Sequence, residues 1–185
     1  MRIIRLPNVK TIRAEVIRDR LPPGTRRIVC LSCGNATRAL EGVIKGVPVI
    51  KLDSESPVSA RRELSAQEIQ TYFGPESFNA TSGYLPLDLT AEIGQRLMAY
   101  IPELLEGDRL YVPCGSGETI AALSNYIPLA RMTAVSALYP PIEAMGPLYR
   151  WLAANMKTVN VGRVNSVAEA LRLAARGKGF ALCWE

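Results

Sequence analysis

Val9, Ile12, Val16 and Ile17 are apolar positions at helical spacing, and they predict an amphipathic helix over residues 9–20. Leu21, Pro22, Pro23 and Gly24 stop it. Arg27 to Leu31 is a short apolar run that reads as a strand. A helix from about Asn35 to Lys45 follows, with Asn35 placed to cap it. Gly46 closes that helix, and Val47 to Leu52 is a second strand. Asp53, Ser54, Glu55, Ser56 and Pro57 signal a further helix start, and that helix runs to Phe73. Residues 74–86 are rich in Gly, Pro, Ser and Asn and read as a seam between lobes.

Beyond the seam the alternation resumes. Helices are expected at 88–105, 118–126 and 147–156, and from Ser166 to Arg176. Ser166 and Glu169 have the spacing of a capping box. Strands are expected at 109–113, 132–138, 159–164 and 180–183. Strands alternating with helices across short connections predict an α/β fold, with a mostly parallel sheet flanked by helices and right-handed crossovers. The expected division is one lobe over 1–76 and a second over 77–185.

The chain has 185 residues, 48% hydrophobic and 21% charged, which is enough apolar matter for the core of one domain or one and a half. No apolar run is long enough to span a membrane, and the start lacks the apolar stretch of a secretory signal. Four cysteines without such a signal suggest reduced thiols and a cytoplasmic location. Histidine is absent, which excludes His-based triads, His-ligated metals and His general bases. Acid–base chemistry is left to Lys, Cys, Tyr and carboxylates. The net charge of +5 gathers toward the N-terminus, in Lys10, Arg13, Arg18 and Arg20 among others. Aromatic residues are not interleaved with these, so a solvated basic helix face is favoured over nucleic-acid contact.

Two turns carry the candidate chemistry. Gly115, Ser116, Gly117, Glu118 and Thr119 lie between an apolar strand and a helix. Glycines there let an anion approach backbone N–H groups beside the helix dipole, and the Ser116 and Thr119 hydroxyls add donors. The turn is neither a Walker loop nor a complete dinucleotide fingerprint. Glu118 is unfavourable beside an anion unless it points away. Ser32, Cys33, Gly34 and Asn35 have the same strand–turn–helix setting. Both turns fall at the carboxyl ends of strands, where open α/β sheets bind ligands. Each by itself also reads as an ordinary tight turn or helix cap.

Lys10 has two readings, a solvated base on its helix or, if desolvated, a nucleophilic amine. Cys30 and Cys33 form a C-x-x-C. Buried apolar cysteines are favoured over a redox pair, because Cys30 falls in the strand rather than at the helix start. A zinc site from Cys30, Cys33, Cys114 and Cys183 lacks a second C-x-x-C, and no metal is expected. Tyr72, Phe73, Tyr149 and Trp151 are expected in core or seam packing, with Tyr84 at the cleft.

In order and spacing, Asn8-Val9-Lys10, Ser32 to Asn35 and Gly115 to Thr119 resemble the fold-type II enzymes that use pyridoxal phosphate (PLP), the cysteine synthase, threonine dehydratase and tryptophan synthase beta group. Gly46 to Leu52, Ala91 to Gln95, and Val167 to Leu171 with Gly179 and Phe180 resemble further stretches of that group. The resemblance thus covers most of residues 8–183. It implies two small lobes of a tryptophan synthase beta-like fold and a PLP cofactor. Lys10 would carry the PLP as an imine and act as base. Asn35 would meet the ring hydroxyl, and Gly115, Ser116, Gly117 and Thr119 would hold the phosphate. Ser32 and Thr37 would meet a substrate carboxylate. The implied activity is that of a lyase or beta-replacement enzyme on a small amino acid.

The chain also departs from that pattern. Only nine residues precede the lysine, Glu118 replaces a glycine of the phosphate turn, and only Cys183 or Glu185 stands where a partner for the ring nitrogen is needed. The expectation is a short or truncated relative. The alternative is a non-catalytic scaffold or an anion-binding protein that keeps the fold. Truncated lobes leave apolar surface uncovered, so a homodimer is expected.

Overall fold

The computed structural model describes residues 2–32, 35–53, 65–136, 147–161, 166–176 and 179–183. Numbered in chain order, the strands are Arg2–Arg5 (β1), Arg27–Ser32 (β2), Val49–Asp53 (β3), Ser77–Asn79 (β4), Leu110–Pro113 (β5), Met132–Ser136 (β6), Lys157–Asn160 (β7) and Phe180–Cys183 (β8). The helices are Val9–Asp19 (α1), Asn35–Val43 (α2), Ala66–Tyr72 (α3), Leu87–Met98 (α4), Glu118–Leu123 (α5), Pro147–Asn155 (α6) and Val167–Ala175 (α7).

Two sheets result, a larger one in the order β1-β8-β5-β6-β7 and a smaller one in the order β3-β2-β4. Every pairing among the described residues is parallel, from Arg2↔Phe180 at one edge to Thr133↔Lys157 at the other. Parallel strands need helices on their faces, and the apolar central strands are buried accordingly. All five residues of β6 are buried, as are Leu110, Tyr111 and Val112 of β5. This is the α/β architecture of mostly parallel strands and flanking helices that the alternation predicts.

The structure departs from the sequence expectation at several elements. The helix expected over 88–105 ends at Met98. Pro102 lies four residues on, where its ring would meet the Met98 carbonyl of a continuing helix. The expected seam over 74–86 contains β4, which pairs with β2 through Arg27↔Ser77, Ile28↔Phe78 and Val29↔Asn79. β1 has no counterpart in the periodicity and hydrogen-bonds along β8 in the larger sheet. The sheets therefore cross the expected 76/77 division twice, at β1 and at β4. The strand expected at 159–164 begins at Lys157, where it comes into register with β6. Most of the stretch 53–64, residues 137–146 and residues 162–165 lie outside the described residues.

The core runs through both sheets. One buried cluster joins Ile28 and Cys30 of β2, Ile12, Val16 and Ile17 of α1, Ile93 and Leu97 of α4, and Leu110 and Val112 of β5. α1 is enclosed on most of its circumference, with Ala14, Val16 and Ile17 all at 0% exposure. Burying each Ile or Val of that helix contributes about 1.5–3 kcal/mol. α4 crosses α5 so closely that a side chain at Gly94 would collide with the Ala122 carbonyl, so only glycine serves there. Tyr72 and Phe73 pack on Val29, Leu31 and Leu52 of the smaller sheet, as expected. Trp151 does not pack as expected; it is 51% exposed on the outer side of α6. Among the described residues no helix is long and apolar enough to cross a membrane.

Candidate functional site

The start of α1 is set by Asn8, whose Oδ1 accepts the Lys10 backbone N–H at 3.0 Å. That cap fixes the first turn, and helical spacing then puts Val9, Lys10 and Arg13 toward the gap between the sheets. The second turn follows β5. The Cys114 N–H donates to Val135 of β6 at 2.8 Å, which anchors the turn to the strand ends. Gly117 then takes φ +91° and opens α5 at Glu118. Its backbone angle is one that favours glycine, and a Cβ there would lie 2.5 Å from Leu152 Cδ1, which would have to shift.

These pieces enclose a cavity of about 470 Å³. Lys10, Asn35, Gly115, Ser116, Gly117 and Thr119 all line it. They come from three places in the sequence and from the carboxyl ends of strands in both sheets. Asn35 is the first residue of α2, and its Oδ1 accepts from Arg38 Nη2 at 2.8 Å. Its Nδ2 is thus oriented by the bond its oxygen makes. Lys10 is half-buried, intermediate between its two readings.

The other site candidates are placed differently. Ser32 closes β2 opposite Asp53. Thr37 is 3% exposed and does not line the cavity, and its Oγ1 has no hydrogen-bond partner among the described residues. Tyr84, expected at the cleft, is 39% exposed and is not among the lining residues; Ser82 is. Cys183 ends β8 outside the lining, and Glu185 is outside the described residues.

Reading the sequence alone missed the ion pair at the centre of the site. Arg13 falls in the basic stretch expected to be solvated, yet it is buried. Its Nε donates to Glu118 Oε1 at 3.0 Å, and its Nη2 donates to the Ala80 carbonyl just beyond β4. One side chain on α1 therefore ties the Gly115–Thr119 turn to the smaller sheet. Both partners line the cavity. The signal was present in the periodicity, because residue 13 is four beyond Val9 and three before Val16, on the apolar face. Glu118 points to a cation, yet it lines the cavity and does not turn away from the place an anion would take.

The thiols behave as packing residues where they are described. Cys30 is 1% exposed and donates to the Ala80 carbonyl at 3.4 Å. Burial pushes its thiol above the ordinary cysteine range, so it is a poor nucleophile at neutral pH. Cys114 is buried and lines the cavity. Cys33 lies outside the described residues, so the C-x-x-C has only one described member. Among the described residues no three His, Cys, Asp or Glu side chains gather as a metal site would require.

No protein-family model and no curated protein matches this chain. Among solved structures, the chain is similar to a threonine deaminase from T.th., with a TM-score of 0.54. The likeness covers 94% of this chain and 78% of that one at 16% sequence identity. At that identity the likeness is one of fold. The α/β architecture is related at a distance to that of a threonine deaminase, in line with the fold expected from the motifs.

Proposed function

We propose that this protein binds pyridoxal phosphate in the cavity lined by Lys10, Asn35 and the Gly115–Thr119 turn. The observation that carries this reading is the convergence of Lys10, Asn35, Gly115, Ser116, Gly117 and Thr119 on one cavity. The residues fit the group. About 470 Å³ lies within the roughly 300–1,000 Å³ usual for small-molecule sites. The turn offers N–H groups and the Ser116 and Thr119 hydroxyls to a phosphate. Asn35 Nδ2 is the donor for a ring hydroxyl. Lys10 Nζ is the amine for the cofactor's carbonyl carbon. A lysine in the first turn of a helix opposes the dipole there, a cost that a functional role explains.

Bound there, the cofactor would supply an electron sink for the α-carbon of an amino acid. Lys10 Nζ would move the proton at that carbon, and the apolar wall of Val135, Ala170 and Leu171 would exclude water. If active, the protein is a lyase or beta-replacement enzyme acting on a small amino acid. The test is the visible absorbance of the purified protein with and without added PLP, repeated with Lys10→Ala. A yellow band in the wild type that the variant lacks supports the reading; no band at excess PLP sinks it.

A second reading is a ligand-binding protein without turnover. It is favoured by the position of Cys183, which does not line the cavity and so offers no partner to a ring nitrogen. A yellow wild-type protein that consumes no amino acid over hours decides for it. We also propose a homodimer, whose interface would cover apolar side chains such as Leu87, Leu105 and Leu173, 86%, 68% and 55% exposed. A monodisperse monomer in sedimentation at micromolar concentration contradicts that.

A further inference from the structure

We propose that Glu118 determines which anions the cavity holds: its carboxylate cancels one of the two cations there, so that the turn holds a doubly charged phosphate loosely and exchangeably. This rests on the reading of the Gly115–Thr119 turn as an anion seat. Four ionisable side chains line the cavity among the described residues, and they are Lys10, Arg13, Cys114 and Glu118. Arg13 is committed, with Nε on Glu118 and Nη2 on the Ala80 carbonyl. The Arg13 and Glu118 side chains are 7% and 10% exposed, so water screens neither well. Glu118 also directly follows Gly117, so its charge is built into the same turn that presents the N–H groups.

A fixed charge acts on a ligand in proportion to the ligand's own charge. Removing the Glu118 charge should therefore help a dianion twice as much, in free energy, as a monoanion. Glu118→Gln removes it while keeping an oxygen to accept from Arg13 Nε. Arg13→Met/Glu118→Gln removes both charges and returns the cavity to its original net charge.

The experiment is a titration of the three full-length proteins with inorganic phosphate and, separately, with acetate. It is run at about pH 8, where phosphate is mostly dianionic. The readout is the NMR shifts of the backbone amides of residues 115–119, with thermal melts to confirm folding. The expected result for Glu118→Gln is a phosphate affinity raised about tenfold and an acetate affinity raised about threefold, its square root. The double variant should return both toward wild type. Equal gains for the two anions, or none, in folded Glu118→Gln overturn the proposal and leave the anion seat standing. Amides that respond to phosphate in neither wild type nor Glu118→Gln refute the seat itself, and the proposal with it.

Discussion

Arg13 and Arg96 each reach a carboxylate on another helix, at nearly equal distance. Arg13 Nε lies 3.0 Å from Glu118, with the two side chains 7% and 10% exposed. Arg96 Nη2 lies 2.8 Å from Asp19, with the two 34% and 36% exposed. Arg96 also shares Glu92 at 2.9 Å, while Arg20 meets Asp88 and Glu92 nearby, so α1 and α4 are laced by exposed ions. Distance alone does not rank these contacts. At the surface, each charge keeps most of its water whether or not the pair forms. In the interior, each has lost its water already, and the partner is what makes the loss tolerable. The contrast also explains why the two regions serve different ends. The surface lace adjusts how two helices lie, whereas the buried pair joins a turn at the cavity to the smaller sheet through Ala80.

The widest separation between the two regions is expected from single removals inside. Arg13→Met leaves Glu118 buried without a cation and should cost about 3–5 kcal/mol. A chain of this size should then melt about 10 °C lower, measured by circular dichroism. Removing both charges together should do less harm. Arg13→Met/Glu118→Leu should lie within about 2 kcal/mol of wild type, because no orphaned charge remains. A double variant as unstable as the single would mean that the lost contact to Ala80, and not the charge, is what matters. Arg96→Met should cost about 1 kcal/mol or less, and urea melts in about 0.5 M salt should shrink even that.

The smallest effect is in pH. Asp19 is held below the ordinary carboxylate range, first by its hydrogen bond to Arg96 and then by that to Arg18. A carboxylate lowered on folding stabilises the folded chain above its unfolded pKa, and that share disappears as pH falls through the folded value. Arg96→Met should therefore flatten slightly the acid limb of stability below about pH 4. An acid limb left unchanged would show that Asp19 does not depend on Arg96.

Most elements were legible because their apolar positions carry a period. α1 is the clearest instance, since Val9, Ile12, Val16 and Ile17 face the core that the spacing assigns them. β1 and β4 were not legible, for they are four and three residues long and exist only through partners far along the chain. The site divides in the same way. Order and spacing alone gathered Lys10, Asn35 and the Gly115 turn as candidates, and they do meet at one cavity. Arg13 was readable as apolar-face from its position but not as a partner of Glu118, because that pairing spans 105 residues and depends on how two sheets meet. Thr37 is placed differently from the candidates that line the cavity. Its helix-start position suggested a ligand contact, and tertiary packing buries it just behind Asn35 and Ala36, which do line the cavity.

The pairing of β1 with β8 constrains how the molecule is made. Residue 2 finds its partner at residue 180, and the Leu6 N–H reaches back to the Cys183 carbonyl. A ribosome delivers the first strand long before the last, so β1 leaves the exit tunnel as an unpaired edge and stays one while the rest of the chain is synthesised. Closing so long a loop is also expected to slow refolding from the full-length chain. A chain permuted so that β8 leads directly into β1 would turn the most distant contact of the larger sheet into a local one. It should fold faster while keeping the same cavity.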